Sequence, residues 1–135
     1  MSVAEAFFDT SVLMYLLSHE PEKADRAEEL LEAGGVISVQ VLNEMVNAAT
    51  RRNRLPWPAV RETLDVVRAL TRVEALTVDV HERALEVAER YQFSFYDSLI
   101  VAAALISKCS ILYCEDLQHG QRIERSLRVV NPFAS

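Results

Sequence analysis

Ala6-Phe7-Phe8-Asp9-Thr10-Ser11-Val12-Leu13 carries an apolar run into an aspartate, two hydroxyl residues and a second apolar run. The first run, taken from Ala4 to Phe8, predicts a short buried strand, after which Thr10 or Ser11 caps a helix bearing Val12, Leu13, Tyr15, Leu16 and Leu17. The same passage from apolar to acidic recurs at Phe93-Ser94-Phe95-Tyr96 before Asp97 and at Ile111-Leu112-Tyr113-Cys114 before Glu115-Asp116. In an open α/β sheet the carboxyl ends of the strands line one edge, and ligand sites collect in the crevice outside it. Acidic residues delivered there by separate elements repel one another unless a hard cation such as Mg2+ lies between them.

Between these stretches the chain alternates short β signals with helical periodicity. Pro21 opens a helix with Ala24, Ala27, Leu30 and Leu31 at helical spacing, and Gly34-Gly35 closes it before a brief strand at Val36-Ile37-Ser38. From Val39 to Asn53, Val41, Leu42, Met45, Val46 and Ala49 share one helical face, while Gln40, Glu44, Asn47 and Arg51 make a polar one. Pro56-Trp57-Pro58 starts a helix to about Leu70, with Trp57 read as a packing residue. A strand over Val73–Val78, a helix from an Asp79 cap to Tyr91, a buried helix over Leu99–Ile106 and a strand over Ser110–Cys114 follow. Val129-Val130 reads as a weaker edge strand. This alternation implies right-handed parallel crossovers and a three-layer α/β/α domain whose central parallel sheet has about four or five strands.

At 135 residues the chain has the length of one domain, expected to span 1–135, and no repeat or low-complexity segment divides it. Leu99–Ile106, the longest uninterrupted apolar stretch, is far shorter than the roughly 20 residues of a membrane helix. Met1-Ser2-Val3-Ala4-Glu5 lacks the basic start of a secretory signal, so no membrane association and a cytoplasmic location are expected. Cys109 and Cys114 flank a strand that holds them roughly 16 Å apart, which makes them free thiols. The net charge of −6 comes from 20 acids and 14 bases. That balance disfavours nucleic-acid binding through bulk positive charge but leaves local contacts open.

Each carboxylate, taken singly, also has a structural reading. Asp9 can cap a helix, Ser94-Phe95-Tyr96-Asp97 has capping-box spacing, Asp116 can stabilise a turn, and Glu44 can be a solvated helix residue paired with Arg51 or Arg52.

Their order and surroundings resemble those of the PIN-domain nuclease family. The segments that carry the resemblance are Phe7-Phe8-Asp9-Thr10-Ser11-Val12-Leu13, Ser38-Val39-Gln40-Val41-Leu42-Asn43-Glu44, Phe95-Tyr96-Asp97-Ser98-Leu99-Ile100 and Cys114-Glu115-Asp116-Leu117-Gln118-His119-Gly120, which together span almost the whole chain. Val130-Asn131-Pro132-Phe133 also resembles the end of the VapC-type toxins, the ribonuclease halves of toxin–antitoxin modules. The resemblance implies a PIN-like fold and a catalytic, metal-ligating quartet of Asp9, Glu44, Asp97 and Asp116. Ser11 and Glu115 would support it.

Such a quartet implies hydrolysis of RNA phosphodiester bonds by metal-activated water, with Mg2+ or in its place Mn2+, leaving 5′-phosphate and 3′-hydroxyl ends. The implied partners are an RNA substrate, a cognate antitoxin and a second copy of the chain, the last through helices around Pro21–Leu31 and Pro56–Leu70. Arg51 and Arg52, at a helix C-terminus, and Arg122, in a later cluster with Arg125 and Arg128, are the candidate RNA contacts. A PIN nuclease of RNA processing and a catalytically silent PIN-like binding module are the alternative readings. A dehalogenase-type phosphatase fits poorly, since it wants a second aspartate where Ser11 stands.

Overall fold

The computed structural model describes residues 5–134; the starting residues 1–4, on which the absence of a signal segment and the beginning of the first strand were read, lie outside them. Five parallel strands and one short antiparallel strand form a single sheet in the order β3-β2-β1-β4-β6-β5. The strands are β1 Ala6–Phe8, β2 Gly35–Ser38, β3 Thr71–Glu74, β4 Ile111–Tyr113, β5 Arg122–Ile123 and β6 Leu127–Val130. The helices are α1 Thr10–Leu13, which tightens into a 3-10 turn at Met14–Leu17, then α2 Pro21–Glu32, α3 Val39–Arg51, α4 Trp57–Leu70, α5 Val78–Tyr91 and α6 Phe95–Ile106.

Adjacent residues of the central strands point to opposite faces, yet Phe7 and Phe8 of β1 and Val36 and Ile37 of β2 are all fully buried. Both faces are therefore covered, as the expected three-layer parallel fold requires. The apolar row of α3 buries Val41, Met45 and Ala49. Helix α6 buries Ser98 through Ala104 without a polar face over that span and packs against α5.

Strand order reverses between β1 and β4. From β1 the chain builds outward through β2 and β3, then returns to lay β4 on the other side of β1 and β6 beyond it. Phe8 pairs with Tyr113 at the carboxyl ends of these two strands, so Asp9 and the Cys114–Asp116 segment emerge side by side at the switch point where such folds bind ligands.

Several local expectations are corrected. Asp9 itself caps α1, accepting from the Ser11 amide, so neither Thr10 nor Ser11 does. The third strand begins and ends earlier than Val73–Val78, because Thr77 caps α5 through the Val80 amide and pulls Val78 into the helix, displacing Asp79 from the cap. Val129-Val130 belongs to an internal strand, since β5 pairs antiparallel outside β6. Trp57 is 62% exposed and does not pack in the core.

Gly34 ends α2 with φ at +84°, the left-handed geometry a glycine supplies at least cost. Gly35 is required for a different reason. A Cβ there would lie 2.6 Å from the Ala6 carbonyl oxygen and 2.6 Å from the Phe8 ring, so β1 and β2 approach only because that atom is missing. Gly35→Ala is expected to destabilise the protein by roughly 1–3 kcal/mol through overpacking, read as a lower urea midpoint with unchanged slope; an unchanged midpoint would show that β1 yields freely.

Candidate functional site

Asp9 stands at the carboxyl end of β1, only 6% exposed. Its Oδ2 accepts from the Ser11 amide at 3.0 Å and from Ser11 Oγ at 2.5 Å, and the Cys114 thiol approaches the same oxygen at 3.5 Å. Burial is the main cause that pushes its carboxyl up to about 6; the Ser11 hydrogen bonds oppose this and the negative charges of Glu44 and Asp116 add to it. Burial likewise pushes the Cys114 thiol up to about 12, with Asp9 reinforcing it. Cys114 is therefore a neutral thiol beside a carboxylate that burial already disfavours as an anion.

Glu44 comes from the second turn of α3, on the polar face shared with Gln40. Thr10 Oγ1 donates to its Oε1 at 2.8 Å and Gln40 Nε2 to its Oε2 at 3.1 Å. Gln40 and Glu44 are neighbours because residues four apart share a helix face, whereas Thr10 reaches Glu44 only through the packing of α1 against α3. Asp97 enters from the first turn of α6, where Ser94 Oγ accepts from its amide at 3.2 Å. The hydroxyl half of the capping box is thus formed, while among the described residues the return bond from the Asp97 carboxylate is not made. Asp116 follows β4. Its carboxyl is raised by burial first, then by the charges of Asp97 and Glu115, with Arg52 opposing.

All four carboxylates line one open cavity of about 900 Å3. Ser11, Glu115, Arg51 and Arg52 border it too, together with Asn43, Asn47, Asn53 and Tyr96, which sequence reasoning did not single out. Asn47 was legible as part of the polar face of α3; Asn43 and Tyr96 carry no signal beyond their neighbours Glu44 and Asp97. Arg122 is not at this cavity. It lies in β5 at the sheet edge, where its guanidinium donates to the Arg125 carbonyl at 3.4 Å.

Ser11 is more than a neighbour of Asp9. Its hydroxyl donates to Asp9 and accepts from the Glu115 amide at 3.1 Å, joining the segments after β1 and β4.

The donors facing the cavity are hard carboxylate oxygens, which suit Mg2+ or Mn2+ and not the softer ions that thiolates select. Among the described residues, no three acidic, histidine or cysteine side chains close around one point. A hard cation of the Mg2+ type needs only one or two carboxylates, with water completing its shell. Arg51 and Arg52 place positive charge at the rim, in the planar form that suits bidentate contacts to oxyanions.

The sequence model of the PIN domain matches residues 6–121. No curated protein sequence matches the chain. Among solved structures, a toxin–antitoxin complex from Klebsiella pneumoniae is similar at 23% identity and TM-score 0.71, covering 95% of this chain and 98% of that one. VapC20 of Mycobacterium tuberculosis, a sarcin–ricin-loop-cleaving toxin, is similar at 24% identity and TM-score 0.65, over 82% of this chain and 89% of its own. VapBC2 from Rickettsia felis, bound to a DNA fragment from its promoter, reaches 17% identity and TM-score 0.66 over 92% and 96%.

The buried charge gives a pH signature. Asp9 binds its proton more tightly in the folded chain, so metal-free stability falls as pH rises from 3.8 through about 6, a loss of about 3 kcal/mol at about 1.4 kcal/mol per pH unit. Asp9→Asn keeps an acceptor for Ser11 and removes the charge. In EDTA it is expected to melt above wild type at pH 7.5 and level with it near pH 4; a variant less stable at both values would refute the assignment.

Proposed function

The chain belongs to the PIN domain family, and from that premise we propose that it is a divalent-metal-dependent endoribonuclease, the toxin of a toxin–antitoxin pair. The observation that carries this reading is the convergence of Asp9, Glu44, Asp97 and Asp116, from four separate elements, on one cavity at the switch point of the sheet, with Arg51 and Arg52 at its rim. Asp9 and Asp97 are the principal ligands for Mg2+ or Mn2+; Glu44 and Asp116 complete the acidic surface and orient ordered water. A divalent ion bound there supplies Lewis acidity and lowers the pKa of an attacking water.

The remaining steps belong to the chain. Thr10 and Gln40 hold both oxygens of Glu44, and Ser11 fixes the rotamer of Asp9, so neither carboxylate must reorganise when substrate arrives. Arg51 and Arg52 grip phosphates flanking the scissile one, and Asn43, Asn47 and Asn53 offer neutral donors along the same wall. The open mouth admits an RNA strand. Metal-activated water serves as the nucleophile, so the reaction needs no covalent intermediate on a protein side chain.

A groove of about 350 Å3 lies on the other side of the Met14–Leu17 turn, lined by Leu16, Leu17, Leu31, Val66 and Leu70 and rimmed by Glu28, Glu32 and Glu62. An apolar floor with an acidic rim suits an amphipathic antitoxin segment bearing Lys or Arg. Such a segment would pass the turn that also borders the acidic cavity, so docking and inhibition would be one event. A homodimer through α2 and α4 would cover this same groove and is the competing reading, told apart by light scattering of the free chain.

Cleavage of total bacterial RNA is expected to require Mg2+ or Mn2+ and to cease in EDTA, with Ca2+ a poor substitute because its looser coordination positions water less well. Asp97→Asn is expected to keep its fold, change stability by no more than about 1 kcal/mol, weaken the Mg2+-dependent rise in melting temperature and lower the rate by orders of magnitude. Wild-type cleavage by this variant would refute the metal site. Val66, 50% exposed in the groove, separates docking from chemistry: Val66→Glu is expected to leave cleavage intact while costing about 2 kcal/mol or more of antitoxin affinity, measured by calorimetry with the product of the adjoining reading frame.

A further inference from the structure

Glu115 borders the acidic cavity beside Asp116, yet its carboxylate is held by other groups. The Tyr15 hydroxyl donates to Oε1 at 2.6 Å, and Lys23 Nζ lies 3.3 Å from Oε2 and 3.1 Å from the Tyr15 oxygen. The Lys23 ammonium sits 4.8 Å from the centroid of the Tyr15 ring and 5.5 Å from that of Phe133, and these two rings meet edge to face at 4.7 Å. A charge-assisted hydrogen bond and an ion pair therefore hold the Glu115 carboxylate, and two cation–π contacts seat the Lys23 ammonium that pairs with it. The partners come from the 3-10 turn after α1, from α2 and from the C-terminal segment. No sequence motif joins them.

A free carboxylate here would matter to a metal site. Mg2+ demands near-octahedral geometry and gives up its waters reluctantly, so a fifth carboxylate next to Asp116 would compete with water for coordination positions. It would strengthen binding while removing water from the site, the opposite of what hydrolysis needs. We infer that Lys23 and Tyr15 are positioning residues that sequester Glu115, so that its carboxylate does not join those through which the cavity would hold a cation. This rests on the reading of the cavity as a divalent-metal site and adds to it the device that limits its ligand count. The amide of Glu115, which donates to Ser11 Oγ, ties the same lock to the seat of Asp9.

The test frees Glu115 and then removes its charge. Lys23→Met keeps most of the stem over the two rings without the ammonium, and Tyr15→Phe keeps the ring against Phe133 without the hydroxyl. The double variant is expected to bind Mn2+ several-fold more tightly than wild type by calorimetry while cleaving total bacterial RNA, at saturating RNA and Mg2+, about 10- to 100-fold more slowly. Adding Glu115→Gln should return both quantities towards wild type, which no merely structural role predicts. Unchanged Mn2+ affinity and rate in the double variant would overturn the proposal, as would losses in both that Glu115→Gln fails to relieve. If circular dichroism shows the double variant unfolded, Tyr15→Phe with and without Glu115→Gln carries the same comparison. A wild type that binds Mn2+ without cleaving RNA would overturn the nuclease reading alone and leave the affinity arm to support sequestration; a wild type that takes up no Mn2+ would overturn both.

Discussion

The ionised form of Asp9 has almost no water around it, and much of the neighbouring architecture answers to that constraint. A carboxylate at 6% exposure loses several kcal/mol of hydration unless donors or a cation replace it. Ser11 supplies two donors, one from the backbone and one from the hydroxyl, and these only partly offset a burial that leaves the carboxyl at about 6. A cation bound beside it would supply the rest, so the same buried charge that destabilises the metal-free fold would favour a hard cation.

Helix and strand ends deliver the side chains with little freedom. Asp9 caps α1, Asp97 lies in the first turn of α6 behind the Ser94 cap, and Asp116 follows β4. Each is positioned by backbone hydrogen bonding, which is more rigid than a side chain on a long loop. The parallel register of β1 and β4, with Phe8 opposite Tyr113, brings Asp9 and Asp116 to the same edge. Glu44 is the exception, placed by the face of a helix and held by Thr10 and Gln40.

Charge is distributed with the same economy. The chain is net acidic at −6, and four of its acids meet at one cavity, so bound divalent metal would leave a weakly charged surface around it. Arg51 and Arg52 lie at that rim, at the C-terminal end of α3 where the helix dipole also favours them. The apolar groove across the Met14–Leu17 turn is bordered by glutamates instead. The two neighbouring surfaces therefore carry rims of opposite charge, basic at the cavity and acidic at the groove.

Periodicity and turn chemistry are local, and what they encode was readable from the amino-acid order. Alternating short apolar runs and amphipathic segments determined the parallel α/β class, the glycine break after α2, the polar face of α3 and the four acidic positions. Element boundaries were less legible where two caps compete, as Thr77 does with Asp79 and Asp9 with Thr10, because the winner is set by the approach of the preceding strand. The antiparallel β5 escaped notice since two residues carry no period. Trp57 defeats composition altogether: a large indole between prolines reads as core, and only the packing of α4 leaves it exposed. What the tertiary structure alone decided is which groups share the site. Arg122 falls outside it, and Tyr15, Lys23 and Glu115 form a lock from residues up to 100 positions apart. Hydrogen bonds between distant segments depend on how whole layers stack, and no window of sequence contains that information.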